Sequence, residues 1–379
     1  RTAETVGSGA LTAGGAGVAS VQGTIMAQTT KSKSRAFIED AAVVNDNTSE
    51  NTTQSVAVRA ESDTDLVSFS GSGGGAIVGV GITGDVMILE KETKAYIGDN
   101  ANVRSGGDIS VDAQAQADLI QIALSINGGV VGVTGAAGTA VANNFTQARI
   151  GRNATIYAED SIRVQATDDT EIDAVVITGA GGVVGVSGSV GTYVAKSTTE
   201  ARIQDGATIN ALAAGDGITA LSGTVDNSTV TVTSKTTRDQ EGTAGNTDFE
   251  QVEASFDTTN KFGLQVAAVT YEDMNFAPVG VAGGVVGVAG VVATTVANST
   301  TRAIVEDNTN INTTGDNSGA GVNQSVELLA ASESQLNNIS SGIGIGAVGV
   351  TFDIDTQVFK KTVEARLLGD AKAKRNVTV

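Results

Sequence analysis

An acidic residue returns at a fixed place in this sequence. Four residues after a recurring Ala stand Asp40, Asp99, Asp205 and Asp307, with Arg152 and Gly369 at the same step in two further copies. Carboxylates aligned in this way could offer oxygens to Ca2+, a hard cation that takes about 6–8 oxygen ligands. Arg152 and Gly369 break the series, however, and no tandem calcium-type nonapeptide is present. Asp at a tight turn ordinarily bonds to its own backbone. Turn chemistry is therefore the first expectation for Asp40, Asp99, Asp205 and Asp307, and occasional Ca2+ the second.

Other chemistry is thinly represented. The chain holds 0 Cys and 0 His, which removes thiol nucleophiles, Cys-type metal sites and any Ser-His-Asp triad. The glycines of Gly73–Gly75 and Gly79 suggest a phosphate loop, but no Gly-Lys-Ser/Thr follows and the string recurs in other repeats. The pairs Asp168/Asp169 and Glu171/Asp173 could serve acid–base hydrolysis of a polysaccharide. They form no unique, non-repeating cluster, and charges on solvated strand edges explain them more simply. No enzyme activity is expected. A formal charge of −19 opposes binding to nucleic acid and anionic membranes. No apolar stretch approaches the roughly 18 residues of a membrane helix, so no membrane span is expected.

What must position these residues is a repeat. Val-Gly-Val occurs at residues 78–80, 131–133, 184–186, 286–288 and 348–350, and a degenerate anchor falls at Val21. The final Val residues (Val80, Val133, Val186, Val288 and Val350) each precede an Ala anchor by 15 residues. A third anchor, Ile-x-Val-x-Ala in type, begins at Val56, Ile109, Ile162, Leu264 and Val326, each 24 residues before the next Val. Only the step from the Ala anchor to the Ile anchor varies, at 20, 14, 14, 63 and 23 residues. The minimal unit is 53 residues, and all added length enters at one corner. The chain is expected to be an excerpt from a longer array.

Within the unit the period is two, as in a strand. Ile172, Ala174 and Val176 alternate with polar or small residues, and Gly182, Val184, Val186, Gly188, Val190, Thr192 and Val194 continue an every-second-residue face. Gly-Asp, Gly-Gly and Asp-Gly pairs mark corners. With 1 Pro and 3% aromatic residues, the expectation is an all-β parallel solenoid of about six stacked repeats, either one wide coil per repeat or two smaller ones. Residues 1–379 then form a single array. Three columns follow: Ile38, Ile97, Ile150, Ile203, Val305 and Leu367; Val103, Ile156, Ile209 and Ile311; and Ile88, Val141, Val194, Val296 and Val358. The Gly-rich segments would let two sheet layers approach closely.

The strings ARIGRNATIYAEDSIRVQA and AYIGDNANVRSGGDISVDA, each flanked by GGVVGV, resemble repeats of leukotoxin-like and haemagglutinin-type filamentous bacterial adhesins. The resemblance spans nearly the whole chain except about 206–262. It implies secretion to the bacterial cell surface and a structural role as fibre or stalk. Partners would be flanking repeats or other copies of the fibre and a cell-surface or matrix ligand. Carrier repeats of a toxin-like exoprotein and a self-assembling filament subunit are the alternatives. No catalytic or cofactor-binding residues are carried over. The spare chain at 206–262 reads as a β-rich insertion from one corner. Thr229–Thr233 and Val252, Ala254 and Phe256 alternate there, and this insertion is the favoured place for a partner contact.

Overall fold

The structure, a computed structural model, describes residues 1–45, 54–226, 229–234, 247–252, 255–313, 317 and 319–379. The chain is all-β, with no helix among these residues. They form a twelve-stranded and a six-stranded sheet, both parallel, and two small antiparallel pairs. β-branched residues in period two and an almost complete want of Pro leave each backbone free to pair on both sides.

Pairing follows the repeat. In the long strand Ile109–Ile150, the first half pairs with Ile162–Gly181 and the second with Val184–Ile203, both at 53-residue separation. Strand Val56–Ile97 lies on its other side in the same register. Each repeat thus runs out along one arm, turns near residues 128–130, and comes back along the other, so the sheet curls onto itself. Longer repeats keep the alignment: Leu264 pairs with Ile162 across 102 residues, and Val286 with Val348 across 62.

The first column pairs as expected from Ile38 through Ile97, Ile150, Ile203 and Val305 to Leu367. Val103, Ile156, Ile209 and Ile311 form the central rungs of the six-stranded sheet. These two rows meet the row Ile109, Ile162, Leu264 and Val326 in one buried core at the corner end. Near-complete burial of each Ile contributes about 1.5–3 kcal/mol.

The other half of each arm corrects the expected facing. Ile172, Ala174 and Val176 point inward, but Val184, Val186, Val190 and Val194 on the returning arm point outward. The third column is likewise paired but stands on the outer face, Ile88, Val141, Val194 and Val296 alternating with the buried Met87, Ala140, Tyr193 and Thr295. The cause is the turn. Gly181–Val183 spends an odd residue, with Gly182 at φ 154, and this exchanges the two faces of the alternation. Inside, the two arms meet through glycine: a methyl carbon on Gly185 would lie 2.8 Å from the Gly283 carbonyl oxygen and 3.0 Å from that of Ala180. The expected close approach is present beside the turn, where it leaves room only for small side chains; farther along the arms Leu66, Leu119, Tyr193, Met274 and Phe276 fill a second core.

Candidate functional site

The corner carboxylates are built into the turn. The N–H of Asp99 donates to Asp40 Oδ1 at 2.8 Å, and that of Arg152 to Asp99 Oδ1 at 2.9 Å. Asn308 Nδ2 donates to Asp205 Oδ1 at 2.9 Å, and the Asp307 carbonyl accepts the Gly206 N–H at 3.2 Å. The residue after each Asp or Arg is left-handed: Ala41, Asn100, Asn153, Gly206 and Asn308, with φ between 52 and 72. Asn and Gly tolerate that conformation best. Among the described residues, no group of three or more Asp or Glu side chains converges as a metal site.

Of the two acidic pairs, Asp168/Asp169 is split across the sheet and Glu171/Asp173 stays on one face. Asp168 faces inward and is fully buried, where Asn144, Thr146 and Thr170 donate to its carboxylate at 2.9–3.4 Å. Burial pushes its carboxyl up, opposed by those bonds and by the Lys91 ammonium. Lys91, also buried, is brought down to about 8 by burial, against the pull of Asp168 and other carboxylates. Its ammonium donates to the Gln116 carbonyl. Glu272 lies in the same interior and is raised to about 7, first by burial.

Asp169, Glu171 and Asp173 face outward. Glu171 aligns with Asp118 on one side and Asp273 on the other, and Asp65 extends the row. In-register neighbours stand about 4.8 Å apart. Burial and then the adjacent Asp173, Asp118 and Asp273 raise Glu171 to about 8. Asp173 and Asp273 are raised as well, with burial the leading cause. The row sets like charges side by side; it does not pair an acid with a base across a cleft.

No family model matches the chain, and neither a curated relative nor a solved structure matches it. Geometry alone therefore has to speak for function.

Sequence reasoning missed the inward charges Lys91, Asp168 and Glu272, because alternation marks two faces without saying which is inside. It also missed the insertion's seat. Strands Ile218–Asp226 and Ser255–Lys261 pair antiparallel, and Leu221 and Phe256 pack on Ala267, Val269, Leu329 and Ala331 of the outer face. Thr229–Ser234 pairs antiparallel with Thr247–Val252, so the Thr-Val alternation is a strand. Of the second alternation, Ala254 lies outside the described residues.

Proposed function

We propose that the chain is a segment of a β-solenoid fibre, a structural stalk of a secreted adhesin on a bacterial surface. The carrying observation is that equivalent residues pair even where the spacing is interrupted. Leu264 sits on Ile162 although 206–262 intervenes, and the whole excess leaves the register untouched. Repeats that align this strictly add to one another by nearest-neighbour interfaces, and the product is a stiff stack. Its work is geometric: it sets distance and holds attachment modules away from the cell. Resemblance of the repeat strings to filamentous adhesins supports the location, and the −19 charge suits a long surface that must stay dispersed.

The test is to lengthen the stack. Ten added in-register copies of residues 109–161 should extend one dimension by about 48 Å at constant cross-section, at about 4.8 Å per strand. Electron microscopy reads this directly. Added copies that fold as separate beads, or that widen the particle in all directions, overturn the reading.

A further inference from the structure

Charge is nearly absent from one half of the molecule: the exceptions are Asp85, which is buried, Asp173 at its margin, and Asp353 and Asp355 on the last strand. Residues 5–30, 66–84, 119–148, 174–195, 274–301 and 334–352 contain no Asp, Glu, Lys or Arg. Each of the first five runs holds a stacked turn residue at its bend, and these are Val18, Ile77, Val130, Val183 and Val285. All five are large apolar side chains with exposures of 71%, 51%, 48%, 50% and 55%. On the outer face of the returning arm lie Val133 and Val190, and on that of the outgoing arm Ile120 and Ile126, all exposed. Apolar surface therefore covers both broad faces and the edge between them.

Polar groups of the same half are turned inward, and several are bonded to one another. Ser72 meets Thr83 and Ser125 at 2.9 Å, Thr178 meets Ser189 at 2.9 Å, and Ser68 donates to Asp85 at 2.7 and 2.8 Å. At the edge the backbone is also engaged. Val183 N–H donates to the Val130 carbonyl at 2.8 Å, Val286 to Val183 at 3.0 Å, and Val78 to Val18 at 2.9 Å. At the turn itself these peptide groups are satisfied and no side chain is charged, which is what hydrocarbon demands of the backbone it covers.

We propose that this turn edge inserts among the acyl chains of an electrically neutral lipid bilayer. A second copy could cover one broad face, but lipid covers both faces and the edge together. Depth agrees. From the turn at Gly181 to Asp173, the nearest outward carboxylate of the stacked outgoing arms, run about eight residues at about 3.3 Å each, just short of the roughly 30 Å of a hydrocarbon core. That span is the maximum immersion. Asp173 and, two residues farther back, the acidic row of Asp65, Asp118, Glu171 and Asp273 bound it and select against anionic headgroups. This inference stands on the curled sheet and does not require the fibre reading.

Flotation with phosphatidylcholine vesicles tests it. The chain should rise with the vesicles, and the double variant Val130→Asp, Val183→Asp should lose at least tenfold in bound fraction while its circular dichroism stays that of the parent. Replacing a third of the lipid by phosphatidylserine should lower binding. Because the chain has 0 Trp, Val183→Trp is a clean second reporter. Its fluorescence should shift to the blue with vesicles and be quenched by brominated acyl chains. A parent chain that stays at the bottom, a Trp reporter indifferent to vesicles, or an edge-dependent dimer in sedimentation without vesicle binding overturns the proposal.

Discussion

The corner half and the turn half of this protein are built from the same alternating strands with opposite contents. At the corner the inside is Ile, Val and Ala, and the outside carries ion pairs such as Arg163–Asp112 at 2.6 Å and Lys31–Glu90 at 2.7 Å. Beside the turn the inside is mainly Gly, Ser, Thr, Gln and Asn with Ala123, Ala136 and Val176, farther back it widens to hold Leu66, Leu119, Tyr193 and Phe276, and the outside is Val and Ile. Three rows of large side chains enclose a corner wide enough to fill. Beside the turn the arms are held at glycine distance and have no such width, so small groups occupy the gap there and the β-branched residues go outside. Period two fixes alternation, and the separation of the layers decides which face takes the bulk.

The sharpest way to break this comparison is to place one charge in each half. Ile150→Asp buries an unpaired carboxylate in the corner row and should cost about 3–5 kcal/mol. Val183→Asp at the exposed turn should change stability by no more than about 0.5 kcal/mol. Denaturant melts of both variants decide, and equal losses would show that the halves do not differ in this way.

A smaller effect is expected from pH. Glu171 holds its proton to about 8 in the fold against an ordinary value of 4.5, so between those values the folded chain binds more protons than the unfolded one. Stability from this group is then complete below about 4.5 and is lost as pH rises towards 8. Asp173 and Asp273 act in the same direction. Thermal midpoints should fall from pH 5 to pH 8, and Glu171→Gln should flatten that fall. An identical slope in the variant would remove Glu171 from the account.

The smallest effect belongs to the insertion. Deleting residues 223–260 removes Phe256 from the outer face above Ala267 and Val269 but touches no corner row. A loss of about 1 kcal/mol is expected, with the β-type circular dichroism spectrum kept. Collapse of the whole fold would make the segment part of the frame.

Much of this was legible in the residues. The spacing of Val-Gly-Val and the Ala and Ile anchors gave the pairing of Ile97, Ile150 and Ile203 and located the corner where length varies. The corner Asp residues read as turn formers, and of these Asp40 and Asp99 accept main-chain N–H groups of the neighbouring repeat. The facing of Val184–Val194 was not legible, because the odd residue spent at Gly182 is invisible to a count of apolar positions. Nor could alternation alone disclose that Lys91, Asp168 and Glu272 point inward, since Ser and Thr accompany them on a face that looks solvent-ready.

Those inward charges also bear on how a monotonous chain finds one arrangement. Rows of Ile on Ile are interchangeable, so a fold that skipped one unit would keep its apolar contacts almost intact. Asp168 is the one carboxylate in its row, Lys91 shares its row only with Lys361 four strands away, and Tyr193 stacks on Phe276 at 4.0 Å. A skipped unit would strand the ammonium without its carboxylate and part the two rings. Such singular residues act as serial numbers on otherwise identical parts, and the chain accepts the desolvation of a buried charge in exchange for a count that cannot drift.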